Sequence, residues 1–317
     1  MNCPSCSTEG FTPTTEAHHG YTLSTCAQCG LMWWTPFKNP GNSFYEERYT
    51  LRNFYTLSGS KRFDHDSFLC STPSLFKERR LLDIGCGTGG FLKKAEGIGF
   101  YAEGIDFSEK AIEVAKKHYG LKQVFSSTLN EFASRFPDKI FDVVTAFQML
   151  EHLDDLQGFM DTVKRLLTAK GRLVLSVPNR ERMVVSSCKS NTLYGELSDY
   201  PPHHLTRWNR ASIEAFLKKH NFEVVDMRIS RVSLNELREL ITQKIPGLSH
   251  VQASVVSRFI VIGQTADTKA GKTTMAVYEA LKILRMAVLT IFALPVFIYA
   301  RMRGKAGGML YAVARRR

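Results

Sequence analysis

The period of the apolar pattern changes along this chain, and the changes mark its elements. Leu81 and Leu82 close a short apolar run that stops at three alternating glycines, Gly85, Gly87 and Gly89. A second run, residues 99–106, ends on Asp106. Strand, tight glycine turn, helix and second strand account for this pattern, which predicts a βαβ unit. Near the N-terminus, Tyr21-Thr22-Leu23 alternate enough for a small β-hairpin. Phe44, Tyr45 and Tyr49, then Phe54 and Tyr55, fall at helical spacing. Toward the other end Val277, Leu281, Leu284, Val288 and Ile291 recur as one apolar helix face, with Glu279, Lys282 and Arg285 on the other sides. Residues 286–300 follow without a single charge.

The glycine turn carries the first chemistry. Glycine there lets the backbone bend sharply and approach a ligand, and Asp106 can accept hydrogen bonds from two ribose hydroxyls. Gly85-Cys86-Gly87-Thr88-Gly89-Gly90 also satisfies the dinucleotide fingerprint G-x-G-x-x-G, with an acidic residue about 20 positions on. Asp83 decides against a dinucleotide. A carboxylate two residues before the first glycine suits an adenosyl cofactor that bears an ammonium group. The D-x-G-x-G-x-G form resembles motif I of the class I S-adenosylmethionine (SAM) methyltransferases, a resemblance that places Asp83 at the methionine end of SAM.

The resemblance continues in register. Residues 141–153, FDVVTAFQMLEHL, are similar to the family's fourth strand and its exit. Residues 170–179 are similar to the fifth strand after its glycine turn, residues 221–225 to the sixth and residues 307–315 to the seventh. Residues 201–208, PPHHLTRW, resemble a segment of one small-molecule branch. The implied fold is α/β, a Rossmann-like seven-stranded sheet with an N-terminal zinc ribbon and a helical insertion before the last strand. One departure stands out: the third-strand exit, residues 124–129, lacks the acidic residue that often contacts the adenine amino group, so backbone groups or Ser127 and Thr128 must substitute. The cofactor set is Asp83, Gly85, Cys86, Gly87, Gly89, Asp106, Phe107, Phe147 and Gln148.

Methyl transfer from a sulfonium is an in-line displacement that asks the protein for position and, with a hydroxyl acceptor, for a proton acceptor. Histidine suits that task near neutral pH. Three histidines stand where substrate enters, beyond the carboxyl ends of the strands: His203 first, then His152, with His204 the more structural of the three. The acceptor atom stays open between oxygen, nitrogen and carbon. The lack of an N-P-P-Y motif counts against an adenine or glutamine amide, and O-methylation is the expectation.

Cysteine spacing adds a metal. Cys3, Cys6, Cys26 and Cys29 form C-x2-C-x19-C-x2-C, the spacing of a tetrahedral zinc site. Four thiolates leave no position for substrate, so this zinc is structural. His18 and His19 read as exposed loop residues, and Trp33 and Trp34 either wall a substrate site or glue the ribbon to the main domain. Cys70, Cys86 and Cys188 have no partner pattern. The first thirty residues are polar, and with free thiols this reads as a cytoplasmic protein.

At 317 residues the chain exceeds one ~100–200-residue domain. The expected division is a ribbon over 1–36, an aromatic helical linker or lid over 37–75, a SAM-binding domain over 76–230 plus 307–317, and an apolar basic insertion over 231–306. Of the net charge of +12, residues 241–317 carry +10, and no Lys or Arg precedes Lys38. A nucleic-acid enzyme would spread that charge over its catalytic face. The distribution instead favours an anionic membrane surface and a small-molecule or lipid-linked glycan acceptor. Fifteen uncharged residues fall short of the ~20 a span needs, and Pro295 would kink them. An interfacial helix is therefore expected, against a buried lid or dimer helix and a true span. Gly263 and Gly271-Lys272-Thr273 evoke a P-loop, but seven residues separate the first glycine from the Gly-Lys pair where four are needed, and a polar linker is expected. The rival functions are an RNA methyltransferase that reads through its ribbon, an NAD-dependent enzyme, and a non-catalytic SAM-fold subunit held at the membrane.

Overall fold

The computed structural model of the chain describes residues 2–41, 44, 62–71, 79–183, 199–244 and 269–317. It divides into two compact units. The first comprises Met1–Arg180, Pro201–Ile229 and Met309–Arg317. It opens with β1 (Phe11–His18), β2 (Tyr21–Cys26) and β3 (Met32–Thr35), followed by α1 (Phe63–Ser71). Next come β4 (Arg80–Ile84), α2 (Gly90–Gly97), β5 (Tyr101–Asp106), α3 (Glu109–Tyr119), β6 (Val124–Ser126), α4 (Leu129–Arg135) and β7 (Phe141–Phe147). A 3-10 turn, Leu150–His152, leads to α5 (Leu156–Leu166) and β8 (Leu167–Pro178). The chain continues through β9 (Thr206–Arg207), α6 (Arg210–Lys219), β10 (Phe222–Arg231), α7 (Leu234–Lys244), α8 (Lys269–Met302) and β11 (Ala306–Arg316).

Seven strands form one sheet in the order β10-β11-β8-β7-β4-β5-β6. The pairs from β8 through β6 are parallel and β11 returns antiparallel to β8. This is the Rossmann-like methyltransferase sheet. The central strands are covered on both faces, which is why RLLDI and FDVVTAF read as nearly unbroken apolar runs. Alternation still sorts their residues. Leu82, Val144 and Leu175 pack with Phe159 and Val163, whereas Leu81, Val143 and Val174 join the cluster of Phe91, Leu92 and Ile112. Local signals fix the helix ends. Ser108 caps α3 by accepting from the Ala111 N–H at 3.3 Å, and Gly120 ends it in the left-handed region.

The ribbon is larger than a hairpin. β1 and β2 pair antiparallel, β3 adds to β2, and β9 adds to β3 through Met32↔Arg207 and Trp33↔Thr206. Trp33 and Trp34 are fully buried, which assigns them to glue rather than to a substrate wall. Ser5 Oγ donates to the Ser212 carbonyl at 2.7 Å, and Arg207 forks onto Glu16 at 3.0 Å to each oxygen.

The second unit, Glu181–Tyr200 with Ser230–Gly308, centres on α7 and α8. Val232 and Leu237 pack with Ala293 and Ala300, and Arg238 donates to Thr290 Oγ1 at 2.9 and 2.6 Å. The apolar face of Leu281, Leu284, Val288 and Ile291 lies exposed, whereas Leu289, Ala293 and Ala300 are buried. The helix runs on through Pro295, and the 20 residues Ile283–Met302, which include Arg285 and Arg301, are long and apolar enough to cross a membrane by length and composition. Gly271-Lys272-Thr273 belongs to the first turns of α8 rather than to a linker. Gly263, Cys188 and the aromatic stretch beyond Phe44 lie outside the described residues.

Candidate active site

The loop from β4 to α2 is shaped by its glycines. Gly85, Gly87 and Gly89 have φ of 75°, 54° and 81°, where a Cβ is strained. At Gly89, the cap of α2, a Cβ would also run into Leu121 and Ala115. The N–H groups of Gly85 and Cys86 both donate to the Ile105 carbonyl, at 2.8 and 3.0 Å, which pins the loop to the end of β5. Asp106 holds the next turn: its oxygens accept from the N–H groups of Gly87 and Ser108 at 2.9 Å each. Phe107, next in the chain, has its carbonyl accept from Ser126 Oγ at 3.3 Å. Cys86 is buried, and burial pushes its thiol up, so it is wall rather than nucleophile.

Three carboxylates define the electrostatics. Asp83 is buried and accepts from Thr145 Oγ1 at 2.6 Å. Burial pushes it up to about 7, opposed by that hydrogen bond, while Asp64 and Asp106 add to the rise. A ligand that brings positive charge relieves this accumulation; a dinucleotide pyrophosphate would worsen it.

Asp64 was not found by reading the sequence, nor were its partners. It is fully buried on α1. Burial works against its charge, yet the Arg62 guanidinium, forking onto it at 3.1 and 2.7 Å, holds it below the usual carboxylate range. Ser176 Oγ of β8 donates to Asp64 at 2.7 Å and accepts from Gln148 Nε2 at 3.1 Å. Gln148 itself sits at φ 55°, its N–H donating to the Ser176 carbonyl at 2.8 Å. His65 lies 5.0 Å from the Phe91 ring and 5.1 Å from Phe147, and burial with the Arg62 charge pushes it down to about 3. The available signal was the charged run Arg62-Phe63-Asp64-His65-Asp66. Its meaning needed Ser176, which is 112 positions away.

The three histidines come together. His152 ends the 3-10 turn after β7, and His203 and His204 occupy the loop before β9. The ring of His152 is 4.6 Å from His203 and 4.8 Å from His204, and the last two stack at 4.8 Å. The two segments are bound backbone to backbone, with the Leu205 N–H donating to the Glu151 carbonyl at 2.7 Å.

Residues 64–227, just over half of the chain, match the family model of a methyltransferase domain. The chain belongs to the methyltransferase-domain family. Over 202 residues it is 31% identical to the mitochondrial ubiquinone biosynthesis O-methyltransferase of Schizosaccharomyces pombe, covering 61% of this chain and 72% of that one. Over 106 residues it is 36% identical to the ubiquinone biosynthesis O-methyltransferase of Aeromonas salmonicida, covering 32% of this chain and 44% of the relative. This methyltransferase thus matches less than half the length of that bacterial relative. A solved SAM-dependent methyltransferase from Archaeoglobus fulgidus overlays with a TM-score of 0.49 at 18% identity, over 86% of this chain and 99% of that chain.

The methyltransferase is SAM-dependent, and the residues at its glycine loop fit that cofactor. A sulfonium and an ammonium would offset the charge of Asp83 and Asp106, and the positive-φ glycine turn has the shape to let a ligand close to the backbone. At the third-strand exit, Thr128 spends its oxygen on the N-cap of α4, in a capping box with Glu131. Ser127 donates its N–H to the Asp106 carbonyl at 2.9 Å and its hydroxyl to the Thr128 carbonyl at 2.9 Å.

The N-terminal cysteines fit zinc. Cys3 Sγ is 3.6 Å from Cys29, Cys6 Sγ is 3.6 Å from Cys26, and all four sulfurs lie within 4.8 Å of one another. Four thiolates at ~2.3 Å around a tetrahedral ion stand roughly 3.8 Å apart, so little must move. Two turns present them, closed by Ser7 N–H to Cys3 O at 2.9 Å and Gly30 N–H to Cys26 O at 3.0 Å. Cys29, accepting from Cys3, is held down to about 5, while that sharing and burial push Cys3 up.

Proposed function

We propose that this enzyme methylates a hydroxyl oxygen of a small-molecule or lipid-linked acceptor, a lipid-linked glycan being the favoured class. The observation that carries the reading is the juxtaposition, in one unit, of an acid-lined glycine loop and a three-histidine cluster at the carboxyl ends of the strands. Relatives named as O-methyltransferases support oxygen as the acceptor atom. Asp106 accepts from the ribose hydroxyls, Asp83 serves the methionine end, and the backbone at Gly85, Cys86, Gly87 and Gly89 lies against the cofactor. Phe107, Phe147 and Gln148 complete its walls. SAM supplies an electrophilic methyl carbon on a cationic sulfur. Bound there, it would pass that methyl to an acceptor oxygen, the O–C bond forming as the S–C bond breaks and the electron pair staying on sulfur. The hydroxyl proton leaves on the side of His203, with His152 and then His204 beside it, as base or as orienter of the acceptor.

An exposed apolar helix flanked by Arg285, Arg301, Arg303 and Lys305 supports a working position on the inner face of a membrane. A ribbon without Lys or Arg before Lys38 weighs against an RNA substrate, and the intact acidic and glycine set weighs against a non-catalytic subunit. The test uses methyl-labelled SAM and lipid extract as acceptor source. Label is expected in the lipid phase, in a base-stable ether. His203→Ala should lower turnover about 10²–10⁴-fold with cofactor affinity intact. Label confined to RNA, or full turnover in both His203→Ala and His152→Ala, would overturn it.

A further inference from the structure

The orientation of the Gln148 amide is decided by residues far from it in the chain. Asp64 Oδ2 accepts from Ser176 Oγ at 2.7 Å. Its other bonds come from the Arg62 guanidinium, at 3.1 and 2.7 Å, and from the His65 N–H at 2.9 Å. A carboxylate paired with a guanidinium only accepts, so the hydroxyl proton of Ser176 lies on the bond to Asp64. Ser176 Oγ can therefore only accept from its other neighbours. Those are the Gln148 side chain at 3.1 Å and the Gln148 N–H at 3.2 Å. The side-chain atom must then be the NH2, which assigns the amide from its network. Oε1 is left as the end without a partner among the described residues. The backbone is held at the same point. Gln148 has a φ of 55°, uncommon for a residue with a side chain, and its N–H also donates to the Ser176 carbonyl at 2.8 Å. The next residue abuts the glycine loop, since a Cβ on Gly85 would sit 3.0 Å from Met149 Sδ. Asp64 and Ser176 are fully buried, and only Gln148 keeps exposed surface.

We propose that Asp64 and Ser176 are positioning residues that fix the Gln148 amide so that its oxygen, and not its NH2, serves the ammonium at the methionine end of SAM. The proposal rests on the cofactor reading given above and deepens it, adding two residues that do not themselves touch the ligand. Left free, the amide would rotate, and its NH2 would oppose an ammonium donor to donor. The fixed order of charges works the other way. The Asp64 anion polarises the Ser176 O–H, whose oxygen then draws harder on the Gln148 NH2 and leaves Oε1 the more negative. Because Asp64 lies on α1 and Ser176 on β8, the same bonds tie the docking of α1 to the recognition of the cofactor's cationic end.

The test is calorimetry on the full-length protein with two ligands: S-adenosylhomocysteine, which carries the ammonium, and methylthioadenosine, which lacks the amino-acid end. Ser176→Ala and Gln148→Leu should each weaken S-adenosylhomocysteine about tenfold or more, the scale of a hydrogen bond to a charged group, and change methylthioadenosine less than about twofold. Asp64→Asn, which keeps the shape and removes the charge, should show the same split; should α1 come loose in that variant, Ser176→Ala decides. The double variant Ser176→Ala/Gln148→Leu should bind no more weakly than Gln148→Leu alone, because Ser176 acts through Gln148. Unchanged affinity in Ser176→Ala, equal losses for both ligands, or losses that add in the double variant would overturn the relay and leave Ser176 to packing, with the cofactor reading intact. Failure of both ligands to bind the unaltered protein would overturn the cofactor reading itself, and this proposal with it.

Discussion

In the proposed reading Asp83 and Asp106 divide the work of recognising a cationic nucleoside, and they should fail differently. Asp106→Ala removes acceptors for two hydroxyls and the brace on Gly87 and Ser108. SAM binding should weaken by about 1.5–3 kcal/mol in calorimetry, the scale of hydrogen bonds to a charged group. Asp83 is held at about 7 by burial, well above its ordinary value. The folded protein therefore binds more protons than the unfolded chain between about pH 4 and 7, and the stability of the cofactor-free protein falls as pH rises through that window. A cationic ligand favours the ionised form, so SAM affinity should rise with pH up to about 7 and then level, with proton release on binding below it. Asp83→Asn should flatten that profile; an unchanged slope would remove Asp83 from the cofactor site. The glycines and both acids were legible because one short segment holds them. Arg62, Asp64 and Ser176 were not, since a buried aspartate on a helix looks solvated until its distant partners are known.

At the scale of elements, the strands were read well and the long helix poorly, for one reason. A strand in a parallel sheet announces itself by a short apolar run between turns, whereas α8 is apolar around most of its circumference. Beyond Arg285 the 4-3-4-3 stripe is flanked by further apolar residues on its other sides, so the pattern there does not say which side packs. Packing settled it, at Ala293 and Ala300. The ribbon shows the reverse case, in which cysteine spacing was decisive but the reach of the element was hidden. Because β3 pairs with β9 and Trp34 holds the Leu205 carbonyl, the ribbon braces the loop that carries His203 and His204. Cys26→Ser should therefore loosen the ribbon and slow turnover while SAM affinity stays nearly unchanged. Equal loss of both in a folded variant would contradict this separation. Trp33→Ala, which opens a cavity in the same brace, should cost about 3–5 kcal/mol of stability by denaturant titration.

For the molecule as a whole, the open question is how α8 meets water. Ile283–Met302 has a mean hydropathy of 2.1 with 17% buried, and residues such as Ile291, Phe292 and Ile298 are at least half exposed. Twenty helical residues measure roughly 30 Å, enough to match a hydrocarbon core. Length alone would allow a span. Arg238 argues otherwise, because its guanidinium is bound to Thr290, well inside the apolar stretch. A cation held at that depth in a bilayer is costly, whereas at the headgroup level it is favourable. Arg285, Arg301, Arg303 and Lys305 add attraction of ~1 kcal/mol each near anionic lipid. Peripheral binding to anionic vesicles is therefore expected, weakened by salt and released by alkaline wash. Replacing residues 273–305 by a short linker should abolish it and keep SAM binding, since β10 and β11 can still pair. Retention through alkaline wash would mean a span, and a soluble monomer indifferent to anionic vesicles would mean that α8 is covered by protein.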